Sequence, residues 1–183
     1  KDAILASYPR TTVFVDRLVV CVQYTNFHVE VQPVFEQEDG SYKYPDTKNG
    51  GSWKITKPQA EIDEMKSMNE AKNKNLRRLC KMARAWKNKH GVGIGGLLID
   101  TLAYNFMKST TNYDDKSYSS YDCLSRDFFK YLSEQPDQDH YQALGSNQDV
   151  KVKDQFHDQA KDAYNKCVKA ISNEGTEKAN NYW

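Results

Sequence analysis

FHVEVQPVF, residues 27–35, decides the first level of the fold. Its period is two. Phe27, Val29 and Val31 point one way and His28, Glu30 and Gln32 the other, which predicts a β-strand with one buried face. The strand runs into Pro33 and carries a carboxylate at its centre. Two causes fit that carboxylate: a solvated edge strand, or a site that uses it. On alternation alone the solvated face is the stronger reading, because most polar strand faces simply meet water. A carboxylate flanked by His28 and Gln32 on a rigid strand is also a donor set suited to a hard divalent cation.

Upstream, TTVFV (11–15) and LVVCVQY (18–24) are β-branched, and Asp16-Arg17 between them predicts a tight hairpin. Thr25-Asn26 makes a second two-residue connection into Phe27, so three consecutive antiparallel strands are the simplest topology. The middle strand is apolar at nearly every position and should be covered on both faces. Downstream, residues 36–57 read as loop, marked by Asp39-Gly40, Tyr44-Pro45-Asp46 and Asn49-Gly50-Gly51.

Helices then take over. Thr56 and Gln59, with Pro58 between them, suggest a capping box at a helix start. Leu76, Leu79, Cys80, Ala83 and Trp86 give a helical period from Asn75 to about His90, closed by Gly91. The segment from Gly95 to Met107 is apolar nearly all round and should be central. Tyr121, Leu124, Phe128 and Leu132 mark a further helix, and Phe156, Ala160, Ala163, Cys167 and Ile171 a long last one. Residues 137–149 read as a polar surface loop. Strands first and helices second give an α+β class.

The bulk numbers narrow the function. The 183 residues carry 26 basic and 25 acidic side chains, so any anion site must be a local cluster. No apolar run is long enough to span a membrane. The four cysteines are scattered without a CxxC pair, as expected of free buried thiols in a reducing cytoplasm. Four dispersed histidines offer no HExxH or paired zinc spacing.

Three further stretches could bind a ligand. On NLRRLCKMARAWKNK (75–89), Arg77, Lys81 and Arg84 form one stripe with no acidic partner at i+4. Such a stripe suits a polyphosphate, and equally a solvated basic face. GVGIGGLLID (91–100) could present backbone N–H groups to phosphate at a helix start, although it is neither GxGxxG after a strand nor GK[ST]. NGGSWKITKP (49–58) offers Trp53 either for stacking or as a buried pin.

Together, HVEVQPVF, GGSW…TKP, NLRRLCKMARAWKNKHG and GGLLIDTLAYNF resemble the second half of a bacterial cGAS/DncV-like nucleotidyltransferase (CD-NTase), with oligoadenylate synthetases more distant. The resemblance runs from about Tyr8 to Trp183. It implies part of a polymerase-β-like palm over residues 1–56, holding three antiparallel strands, and an α-helical domain over 57–183. It also implies Mg²⁺, or Mn²⁺ in its place, and nucleoside triphosphates joined into cyclic or linear oligonucleotide messengers for antiphage defence (CBASS), with pyrophosphate released. By position, Glu30 is the family's third metal-binding catalytic carboxylate, one methylene longer than the usual Asp. Gln32 is a candidate base contact. Arg84 is the residue that holds the triphosphate, with Lys81 one turn earlier. Gly96 and Leu97 stand where a Ser or Gln and an aromatic are usual, so a backbone N–H at Gly96 would replace a side-chain contact.

Two-metal transfer needs several carboxylates around cations ~3.5–4 Å apart. The family's Gly-Ser pair and Asp-x-Asp strand precede the third acid; here Gly40-Ser41 and Gly51-Ser52 follow Glu30, and Asp16 stands alone. The expectation is a fragment whose partner is the missing N-terminal half of the same protein. Alone it should be inactive and prone to self-association through an uncovered sheet edge. Regulatory proteins of such defence systems are further expected partners, in the cytoplasm and off the membrane. The alternative is a non-catalytic nucleotide- or protein-binding module of the same ancestry.

Overall fold

The computed structural model describes residues 1–181; Trp183, where the expected resemblance ends, lies outside the described residues. The chain is α+β and divides into two compact units, Lys1–Pro58 and Gln59–Trp183.

In the first unit, a short helix α1 (Asp2–Ser7) precedes β1 (Thr12–Asp16), β2 (Val19–Gln23) and β3 (His28–Val31), antiparallel in that order. Asp16 pairs with Val19, so the hairpin turn is Arg17-Leu18, one residue later than the sequence suggests. Arg17 takes the left-handed conformation there, φ 49°. The second turn is Thr25-Asn26 as expected. Tyr24 N–H donates to Phe27 O at 2.8 Å, and the two rings stack with centroids 4.8 Å apart.

Cys21 and Val22 are neighbours on opposite faces of β2, and both are buried, so the middle strand is covered on both sides at its centre. The buried face expected for β3 is not found. All four of its residues are exposed, so among the described residues neither face of this edge strand is covered.

The loop expected over 36–57 is instead a second antiparallel sheet, β4 (Phe35–Glu36), β5 (Tyr42–Asp46) and β6 (Ser52–Thr56). The turn residues sit where expected, with Gly40, Asn49, Gly50 and Gly51 all at positive φ. Both strands do alternate, Tyr42 and Tyr44 about Lys43 and Trp53 and Ile55 about Lys54, but the runs are short and crowded by Pro45 and the turn residues around them. Asp46 on β5 joins the two sheets. Its buried carboxylate accepts from Arg17 Nε and Nη2 at 3.1 and 3.0 Å, and Lys54 Nζ lies 2.8 Å away. The side-chain hydrogen bonds from Arg17 and Lys54 hold this carboxyl well below the usual carboxylate range.

In the second unit, α2 (Pro58–Ala71), α3 (Asn75–His90), α4 (Gly96–Ser109), α5 (Tyr121–Ser133) and α6 (His157–Ser172) surround one core. Pro58 opens α2, where its missing N–H costs nothing. Thr56 stays in β6. Gly91 closes α3 in the left-handed conformation, φ 64°. The all-round apolar α4 is central: Leu98, Ile99, Leu102, Ala103 and Met107 are sealed from water.

The polar loop expected at 137–149 is a hairpin, β7 (His140–Gln142) and β8 (Asp149–Lys151), that buries Tyr141, Ala143 and Leu144. Those three apolar residues supply too short a pattern to show a strand period. Gly145, at φ +71°, lets the hairpin close on α2: a Cβ there would lie 2.2 Å from Ala60 O. Polar joints complete the unit. Asn69 Oδ1 accepts from Arg77 N–H at 3.0 Å, serving the start of α3 from outside. Fully buried Asn75 donates to Tyr113 O and Lys116 O at 2.8 and 2.9 Å.

Candidate functional site

Glu30 stands opposite Cys21, which stands opposite Phe14. Directly opposed residues share a sheet face, and so do i and i+2, so His28 and Asp16 lie on the Glu30 face too. The Glu30 side chain is 57% exposed, with His28 Nε2 3.3 Å from its Oε1. Burial first, then the Glu30 and Asp16 carboxylates, push the Cys21 thiol above its ordinary range. Gln32 lies just past β3 and is exposed.

A single carboxylate beside one imidazole does not make a two-cation site. Among the described residues no cluster of three or more His, Cys, Asp or Glu side chains is placed to hold a metal ion. By themselves these residues do not fit the Mg²⁺ arrangement that the resemblance implies.

In the second unit, Arg84 and Gly96 come together. Arg84 Nη1 and Nη2 grip both oxygens of Asp100 at 2.7 Å each, and Nη2 also donates to Gly96 O at 3.2 Å. The hydrogen bond to Asp100 raises the guanidinium pKa further above its ordinary value. Burial, with the nearby Asp100 carboxylate, keeps the Cys80 thiol well above its ordinary range. The first turn of α4 has Gly95 before it and no side-chain cap, so its leading N–H groups are left for solvent or an anion. A Cβ on Gly96 would stand 3.6 Å from Arg84 Nη2, an ordinary contact, so the position beside the guanidinium is open. A guanidinium next to an uncapped helix start is an arrangement that accepts phosphate oxygens, for which Asp100 here competes.

Lys81 is exposed, one turn before Arg84 on α3. With Lys66, Lys74, Arg77 and Arg78 it lines a shallow groove between α2 and α3, in which Glu70 is the acidic member. The basic stripe of α3 therefore continues into a cationic surface, while its third member, Arg84, is partly neutralised by Asp100.

Asp100 was not legible as a partner. Its contact with Arg84 joins two helices, and no spacing in the chain signals it. Asp46, which reads in the sequence as part of a loop, likewise meets Arg17 and Lys54 only in the fold. Trp53 is neither buried nor in a loop. It lies on β6, 56% exposed, edge-on to Phe35 with ring centroids 5.8 Å apart and with Lys43 Nζ 5.1 Å from its own centroid.

Residues 1–69 match the sequence profile of the Second Messenger Oligonucleotide or Dinucleotide Synthetase domain. No curated protein matches the chain by sequence. Among solved structures, the 3'-deoxy GTP bound form of Escherichia coli DncV has a similar fold, with TM-score 0.71 and 11% identity over 98% of this chain and 52% of that one. The Rhodothermus marinus CdnE c-UMP-AMP synthase with Apcpp and Upnpp gives TM-score 0.63 and 13% identity, over 96% of this chain and 64% of that one. The Elizabethkingia meningoseptica CdnE cyclic dinucleotide synthase with GTP and Apcpp gives 0.50 and 11%, over 70% and 54%. The chain thus spans about half to two thirds of the length of these structures. The resemblance to cGAS/DncV-like nucleotidyltransferases holds by sequence over residues 1–69 and by fold over nearly the whole chain.

Proposed function

We propose that these 183 residues are the nucleotide-gripping part of a nucleotidyltransferase that joins nucleoside triphosphates into cyclic or linear oligonucleotide messengers, releasing pyrophosphate. The observation that carries this reading is the Arg84 guanidinium, which lies 3.2 Å from Gly96 O beside the uncapped first turn of α4. In this reading Arg84 holds the triphosphate and Lys81 adds a second cation. The backbone N–H of Gly96 takes the contact that a longer residue would otherwise make. Glu30 is one of several carboxylates around Mg²⁺ or Mn²⁺, and Gln32 touches a base. A role in antiphage defence (CBASS), in a cytoplasmic setting, belongs to the same proposal.

Because no group of three or more acidic, thiol or imidazole side chains among the described residues could hold a metal ion, the chain should bind nucleotide without joining it. The decisive assay incubates the chain with radiolabelled ATP and GTP and Mg²⁺, in parallel with equilibrium binding of the same nucleotides. Cyclic product from these residues alone would refute the division of labour. Binding that Arg84→Met and Lys81→Met leave unchanged would refute the site.

A second reading, a non-catalytic nucleotide- or protein-binding module, is favoured by the ion pair that already occupies Arg84. The coding frame upstream of Lys1 separates the two. A Gly-Ser pair and an Asp-x-Asp strand there support the synthase, and their absence supports the module.

A further inference from the structure

The second unit contains a cavity that the nucleotide reading leaves unused. It is an open cleft between α3, α5 and α6 of about 470 Å³, within the ~300–1,000 Å³ typical of small-molecule sites. Met82, Trp86, Phe129 and Ala163 make its wall, with the Trp86 and Phe129 rings 5.0 Å apart and tilted by 54°. These side chains offer an apolar, partly aromatic surface.

Two polar features sit on that surface. Ser125 is 9% exposed, and among the described residues its hydroxyl donates only to the Met82 thioether, at 3.9 Å. A thioether is a poor acceptor, so the hydroxyl is available to a better one. At the mouth stand Lys89 and His90 from α3 and Lys166 from α6, opposed by a single acid, Asp162. Neither lysine has an ion-pair partner among the described residues. The cations arrive from two different helices, so the macrodipole at the end of α3 accounts for only part of the cluster.

We propose that this cavity binds a small aromatic anion, its rings against Trp86 and Phe129 and its acid group at Lys89 and Lys166. The Ser125 hydroxyl donates to a polar atom of the same ligand. The site is independent of Arg84 and of any triphosphate.

The test uses two dyes of nearly equal shape, the anion 8-anilinonaphthalene-1-sulfonate and its neutral counterpart N-phenyl-1-naphthylamine, titrated by calorimetry. Ala85 lines the cavity and is exposed, so Ala85→Trp blocks the space without touching the core, as circular dichroism would verify. The expected result is that A85W removes one bound equivalent of the sulfonate. The double change Lys89→Glu with Lys166→Glu should weaken the sulfonate about tenfold, one charge-assisted contact's worth, and leave the neutral dye unchanged. An unchanged number of sulfonate equivalents in A85W would place the dye elsewhere and overturn the proposal. So would equal weakening of both dyes by the charge reversal, or no saturable binding of either.

Discussion

Asp100→Asn tests whether Asp100 competes with phosphate for Arg84. The two oxygens of Asp100 each accept at 2.7 Å from the guanidinium, and a nucleotide that uses Arg84 must displace part of that grip. A hydrogen bond to a charged group contributes ~1.5–3 kcal/mol when shielded. The Arg84 side chain is 39% exposed, so solvent screening reduces the pair to about 1 kcal/mol. Removing the competing charge should therefore tighten Mg·ATP binding about fivefold. Arg84→Met should weaken it, and the double variant should match Arg84→Met alone, since the aspartate acts only through the arginine. Calorimetric titration of the three variants at fixed ionic strength reads this directly. Weakened binding in Asp100→Asn would mean that the aspartate holds the cation in place for phosphate, and the competition argument would fail.

Three other outcomes are expected. Leu102 is fully buried at the centre of α4; Leu102→Ala should cost about 3 kcal/mol and lower the thermal midpoint by roughly 10 °C, measured by scanning calorimetry. Asp46 titrates below the ordinary carboxylate range when folded, so its contribution is complete above about pH 4 and fades as pH falls further. Urea midpoints between pH 2.5 and 7 should show that acid-side loss in the parent chain and a flatter profile in Asp46→Asn. Phe27, Val29, Val31, Val34 and Phe35 are all exposed along and beyond the β3 edge. Light scattering should accordingly find concentration-dependent self-association, and Val29→Lys with Val31→Lys should shift the chain toward monomer.

The sequence by itself determined the elements whose period is strong and whose ends are chemically marked. Gly91 stops α3 because only a residue at ease with positive φ reverses the chain there. The apolar run after Gly95 had to be interior, and Thr25-Asn26 had to be a turn. Period is weak evidence where strands are short and crowded by turn residues, so β5, β6 and the β7–β8 hairpin were hidden. Their hydrogen bonds come from partners elsewhere in the chain rather than from any local preference. The candidate site divides along the same line. That Glu30 lies on a strand and Lys81, Arg84 and Gly96 on helices was legible from local period. That Arg84 is clamped by Asp100, that Asp46 gathers two cations, and that the Ser125 hydroxyl lines a cleft beside the Met82 thioether were decided by packing. Contacts between separate elements depend on where three-dimensional closure brings side chains, and residue spacing along the chain does not encode that distance.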